Sequence, residues 1–223
     1  MDDSTCQALR NLGIDPQTVP EGEVRLVNGL QIQANLGQKA AEWARDLANT
    51  PALAYRVETE HNRKAGVVLR NLHQGPQRAH LTVTAGPGPH WHNLHVALPD
   101  IYKTGLAVIV EGPKDARALW ANGVAVIAYL GPAPGKGHLK TIRRYAGTVV
   151  WLPDNDQAPD PDVEEKDDPK ERKIQRVQRA AEEIGINLMT PKYSAKDPAE
   201  LAKDPIQLAK LLGKIDEIRA LAS

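Results

Sequence analysis

Residues 106–131 read LAVIVEGPKDARALWANGVAVIAYLG, and residues 148–156 read TVVWLPDND. LAVIV (106–110), VAVIAYL (124–130) and TVVWL (148–152) are apolar runs of strand length with no polar alternation. Such runs are buried on both faces, as in a parallel sheet with helices above and below. Between the first two lies a helical stretch over 113–122, with Pro113 suited to its first turn and Gly123 to its end. A glycine-rich loop, GPAPGKG (131–137), leads into a helix over about 138–145 and then to the third run. Further on, a helix over about 169–184 ends at Gly185 and is followed by a fourth strand, INLMT (186–190). Strand and helix alternate throughout, which predicts an α/β fold with a four-stranded parallel sheet.

Working outward, residues 37–50 carry Ala40, Trp43, Ala44 and Leu47 at helical spacing. From Ala54 to Thr84 the apolar residues read as strands, punctuated by Gly-Pro signals at 75–76 and 86–89. This predicts a small, mostly antiparallel α+β subdomain over 37–104. Residues 1–36 are weakly patterned, with a short helix expected near Gln7–Leu12, and the tail is helical and outside the sheet. The expected division is therefore 1–36, 37–104, 105–203 and a helical 204–223.

The 223-residue chain is 41% hydrophobic and 25% charged, enough to build a packed core. No apolar run approaches a membrane span, and the acidic start MDDSTCQALR lacks the apolar centre of a signal peptide. A soluble, cytoplasmic protein is expected. Cys6 is the single cysteine, so an internal disulfide and a cysteine-based zinc ribbon are excluded. Net charge is zero, which argues against coating nucleic acid by bulk charge.

In parallel sheets, function gathers beyond the carboxyl ends of the strands. Glu111 directly follows LAVIV, and Asp154 and Asp156 follow TVVWL after Pro153. The Asp-x-Asp spacing lets both carboxylates face one side of an extended segment. Carboxylates gathered this way repel one another unless a cation lies between them, and hard oxygen donors suit Mg²⁺. The competing reading is local: Asp154 caps a turn and Glu111 begins a helix.

VEGPKDARAL (110–119), the strand ending at Gly131 and WLPDNDQA (151–158) together resemble the Toprim domain of bacterial primases, topoisomerases and several nucleases. The resemblance covers about 105–203. It implies that Glu111 acts as general acid or base and helps hold metal, while Asp154 and Asp156 coordinate Mg²⁺, with Mn²⁺ as an alternative. Gly112 would allow the turn after Glu111, and Asp115 would be structural. VEGPKDA with the distal AKDPAEL (195–201) is most similar to primase-type Toprims of phages and mobile elements. That branch implies a nucleotidyltransferase making short primers on single-stranded DNA from nucleoside triphosphates, beside a replicative helicase. A phosphodiester-cutting nuclease and a non-catalytic nucleic-acid-binding accessory are the alternatives.

In this branch, basic residues upstream of the domain help hold template and nucleotide, for which Arg56, Arg70 and Arg78 are the candidates, with Lys114 beside the Glu-Gly turn. GPAPGKG lacks the spacing of a P-loop and reads either as a loop placing Lys136 and Lys140 near a phosphate or as a plain connection. Arg172, Lys173, Arg176 and Arg179 form a solvated helix face or a nucleic-acid track. His90, His92 and His95 could take zinc only with support from further ligands, so a surface or substrate-edge role is expected, and the resemblance to primases implies a turn here into the strand before the Toprim region. The chain departs from its branch in lacking a cysteine-rich zinc domain and in following Asp156 with the acidic stretch QAPDPDVEEKDDPKE (157–171).

Overall fold

A computed structural model of the chain describes residues 1–20, 22–28, 30–32, 38, 42, 51–72, 80–84, 88–155 and 169–222. The chain divides into two compact units, Met1–Pro87 and Gly88–Ser223. The helix expected over 37–50 (residues 38 and 42 apart), Arg78, Asp156 and the acidic stretch up to residue 168 lie outside the described residues. No described helix is long and apolar enough to cross a membrane.

The first unit opens with α1 (Asp3–Asn11), whose N-cap Asp2 accepts from the Thr5 N–H at 2.8 Å. Thr5 Oγ1 in turn accepts from the Leu26 N–H at 3.0 Å, tying the helix to the first strand. Four strands follow as an antiparallel sheet in chain order: β1 (Val24–Val27), β2 (Ala52–Glu58), β3 (Lys64–Asn71) and β4 (His80–Thr84). β1 was not expected, because four residues between polar neighbours carry too little alternation to stand out. Val27, Ile32, Ala52, Ala54, Val67 and Leu69 form a common core. Gly66 on β3 has φ +152°, and a Cβ there would stand 1.9 Å from the Val83 carbonyl oxygen. β3 and β4 thus approach one another through a position only glycine can hold.

The second unit holds the parallel sheet. Its elements are α2 (Leu94–Thr104), β5 (Leu106–Val110), α3 (Pro113–Trp120), β6 (Val126–Ala128), α4 (Lys136–Ile142), β7 (Thr148–Leu152), α5 (Pro169–Ile184), β8 (Asn187–Met189), α6 (Pro198–Leu201) and α7 (Pro205–Ala222). The strand order is β6-β5-β7-β8, and every pairing is parallel. The expected fold, a four-stranded parallel sheet flanked by helices and preceded in the chain by a smaller α+β region, is the observed one.

Alternate residues of the strands serve two cores. Ala107, Ile109, Ile127, Val149 and Trp151 meet α2, α4 and α5 through Leu94, Ile101, Leu139, Ile142, Val177 and Ala181. On the opposite face Val108, Val110, Val126, Val150 and Leu152 meet Ala116 and Leu119 of α3 and Leu201 of α6. Leu208, Leu211, Ile215 and Ile218 of α7 complete that second layer, so the helical tail covers one face of the sheet.

Two local expectations are corrected. β6 stops at Ala128 rather than residue 130, because Leu130 turns into the left-handed region at φ 60°. The stretch after His92 is a helix rather than a turn into a strand: α2 runs through Pro99 and ends at Gly105, φ 67°. Pro99 is the sixth residue of this helix, beyond its first turn, so its missing N–H removes the intrahelical bond that the His95 carbonyl would otherwise accept from that position.

Ile215→Ala is expected to lower stability by about 2–5 kcal/mol, the usual cost of emptying a buried aliphatic site. Ile206→Ala, on the exposed side of the same helix, is expected to stay within about 0.5 kcal/mol. Urea denaturation midpoints of the two variants check this.

Candidate active site

In the register of β5 and β7, Val110 stands opposite Leu152. Glu111 therefore leaves β5 opposite Pro153, one residue before Asp154. The two carboxylates emerge from neighbouring strands on one edge of the sheet, as their sequence positions imply. The segment after β6 continues the hydrogen bonding past the strand end: the Tyr129 N–H donates to Val110 O at 3.1 Å and the Leu130 N–H to Glu111 O at 3.0 Å. Lys173, from the first turns of α5, donates through Nζ to Glu111 Oε1. The same ammonium lies 5.8 Å from the centre of the Trp151 ring.

Two tyrosines register the charge of this edge. The Tyr129 hydroxyl accepts from Trp151 Nε1 at 3.0 Å. Burial, then the charges of Glu111 and Asp154, push its pKa well above the usual tyrosine range. The Tyr193 hydroxyl donates to the Pro153 carbonyl and is pushed up likewise, by burial first and then by Asp154, Asp115, Asp197 and Glu111. Both phenols stay protonated; Glu111 and Asp154 act on both, and Asp115 and Asp197 act on Tyr193 as well.

The Glu-Gly-Pro-Lys-Asp segment builds the neighbouring wall. Gly112 is the N-cap of α3 at φ −126°, ψ 160°, a conformation open to any residue. Its constraint is space: a Cβ would lie 3.3 Å from Asp115 Oδ2. Asp115 is 4% exposed and accepts from the Ala199 N–H at 3.3 Å. Burial raises its pKa from 3.8 to about 6, against the pull of Lys114. Lys114 Nζ lies 3.6 Å from Asp115 Oδ1 and donates to Asp197 Oδ2 at 2.6 Å. Asp197 caps α6 by accepting from the Glu200 N–H at 2.7 Å. Burial works to raise its pKa, but the hydrogen bonds from Lys114 and Glu200 outweigh it and hold the carboxyl below its ordinary value.

Asn155, the middle residue of Asp-x-Asp, is a bracket. Its N–H donates to Lys196 O at 2.6 Å, and its Nδ2 donates to Tyr193 O at 3.0 Å and Ala195 O at 2.7 Å. The loop after β8 is thereby fastened to the end of β7. Asn155, Asp197 and the Lys173 contact escaped the sequence reading. Asp197 carried a signal, an Asp-Pro pair at a helix start, whereas the partners of Asn155 and Lys173 lie 38–62 positions away.

The remaining candidates are dispersed. Arg56 donates to Glu23 Oε1 at 3.1 Å and to the Asn62 side chain at 2.6 Å, and lies 3.9 Å from Glu58. Arg70 is half-buried on β3, opposite Leu53 and His80. Lys136 begins α4, two residues earlier than expected, and pairs with Glu183 at 2.6 Å, while Lys140 is exposed on that helix. His92 is not at the surface. It is fully buried, exchanges both backbone hydrogen bonds with Ala128, and accepts from Arg117 Nε through Nε2 at 3.1 Å. That lone pair is taken, which removes it as a zinc ligand.

No protein-family model matches the chain, and no curated protein matches its sequence. Solved structures do. The Aquifex aeolicus primase (zinc-binding and RNA polymerase domains) superposes with TM-score 0.72 at 16% identity, over 97% of this chain and 56% of that one. The fold matches that of bacterial DnaG primase catalytic cores. A DnaG primase catalytic domain bound to ssDNA gives 0.69 at 15% identity, over 96% of this chain and 71% of that one. The Escherichia coli primase catalytic core gives 0.68 at 15% identity, over 93% and 72%. The chain thus spans little more than half of the Aquifex aeolicus protein. Within this DnaG-like fold, Glu111 and Asp154 lie at the ends of the two central parallel strands.

The buried Asp115 makes stability depend on pH. Its folded pKa lies above its ordinary 3.8, so the folded chain holds the proton more tightly than the unfolded one. That contribution is complete below about pH 4 and lost as pH rises through about 6. Asp115→Asn is expected to gain on the wild type over that window by on the order of 2–3 kcal/mol, read by urea denaturation at successive pH values.

Proposed function

We propose that the protein is a Mg²⁺-dependent, Toprim-type DNA primase that synthesises short primers on single-stranded DNA from nucleoside triphosphates. The observation that carries this reading is the emergence of Glu111 and Asp154 side by side from neighbouring parallel strands of a DnaG-like fold. The donors present are carboxylate oxygens, and their combined charge is strong enough to act on two buried phenols. Such a set fits a hard divalent cation. Asp154 and Asp156 would hold the ion, with Glu111 contributing. When bound, it would supply charge stabilisation to the triphosphate and the leaving pyrophosphate.

The chain's own residues do the rest. Glu111 accepts the proton of the primer 3′-hydroxyl as its oxygen attacks the α-phosphorus and the α–β phosphoanhydride bond breaks. Lys173 orients Glu111, and Asn155 fixes the segment that carries Asp154. Residues 105–203 would form the catalytic domain and 37–104 the template-holding region, with Arg70 and Arg78 as its basic contacts and 1–36 and 204–223 as flanks. Duplex opening would fall to a separate helicase in the cytoplasm of a bacterial or phage-infected cell.

Labelled nucleotide incorporation on a single-stranded template with Mg²⁺ or Mn²⁺ tests the reading. Glu111→Gln and Asp154→Asn are each expected to reduce synthesis by about 100-fold or more, in line with loss of an acid–base or metal-holding group. Template cutting without incorporation would instead identify a nuclease, and binding without either activity an accessory protein.

A further inference from the structure

Helix α5 has two charged faces with different destinations. Lys173 reaches inward to Glu111, while its neighbour Arg172, together with Arg176 and Arg179, is exposed on the outer side. Ile174, Val177, Ala180, Ala181 and Ile184 pack the helix onto the sheet, so the outer arginines are held on a rigid support. Spacings of four and three residues put the three guanidinium groups on one line, over a rise of about 10 Å. They line a groove of about 350 Å³ together with Lys136, Gln175 and Glu183. Glu183, the one carboxylate among the described lining residues, is engaged by Lys136 at 2.6 Å. At the far end of the helix, Arg143 Nε lies 3.8 Å from where a Cβ on Gly185 would stand.

We infer that this line is a track for the phosphodiester backbone of a nucleic acid, leading away from the Glu111 edge along α5. The inference rests on the primase reading for its choice of polyanion. Guanidinium forks suit phosphate oxygens, and the helix spans about 20 Å from Arg172 to Gly185. A strand carrying a charge every ~3.4 Å presents several phosphates over that length. The overall neutrality of the chain is no obstacle, because Lys136, Arg172, Arg176 and Arg179 line one groove.

Binding, measured apart from synthesis, tests this. A fluorescent 20-nucleotide oligothymidylate and an RNA–DNA hybrid of equal length are titrated with full-length wild type, R172Q/R176Q/R179Q and R172K/R176K/R179K. Loss of three phosphate contacts on the single strand is expected to lower the slope of log affinity against log salt by about 2, so wild-type affinity falls about 20-fold more than that of the glutamine variant between 50 and 200 mM salt. The lysine variant is expected to keep the wild-type slope, which separates charge from damage to the fold. The nucleic acid on which the slope falls, strand or hybrid, identifies template or product as the occupant. Equal slopes for wild type and glutamine variant on both probes would overturn the track, as would wild-type binding to neither. A failed primase reading shows itself separately, as absent synthesis by wild type that still binds with the arginine-dependent slope.

Discussion

Because β5 and β7 pair in parallel with Val110 opposite Leu152, two acidic side chains leave adjacent strands one residue apart in register. Everything at the candidate site is arranged around the electrostatic cost of that meeting. Tyr129 and Tyr193 remain as neutral phenols, Lys173 faces Glu111, and Lys114 bridges to Asp197. The sheet itself offers no such relief, since its strands are apolar on both faces. The charge is therefore confined to the rim, where side chains from α3, α5 and the loop after β8 can reach it.

The supports of the rim are built from the same short motifs that position the carboxylates. Gly112 leaves room for Asp115, Asp115 receives the N–H of Ala199, and Asn155 holds the backbone of Tyr193 and Ala195. Behind them, Arg117 is fully buried on α3 and donates to the equally buried His92. Buried charge of this kind costs desolvation, which the hydrogen bond to His92 offsets in part. The helix that follows Glu111 is thus anchored at its start by Asp115 and in its middle by Arg117.

How much of this was legible follows from the range of each interaction. The three fully buried strands β5, β6 and β7 declared themselves by unbroken apolar runs, and Gly185 marked the end of α5. Glu111 and Asp154 could be placed on one edge because strand ends are local information. The burial of His92 could not: its histidine-rich neighbourhood looks polar, and its partners Arg117 and Ala128 are 25 and 36 positions distant. Pro99 similarly disguised α2, since an internal proline reads as a break unless the helix start is known. Asn155 looked like a spacer, and only the folded loop after β8 shows that its amide has work of its own.

The covering of the sheet by α7 also sets an order of events. The face made by Val108, Val110, Val150 and Leu152 meets Leu208, Leu211, Ile215 and Ile218, which follow all four strands in the chain. On a ribosome, the strands emerge before the helix that closes them. Until residue 218 clears the exit tunnel, a nascent sheet would present that apolar face bare, the kind of surface that aggregates or recruits chaperones.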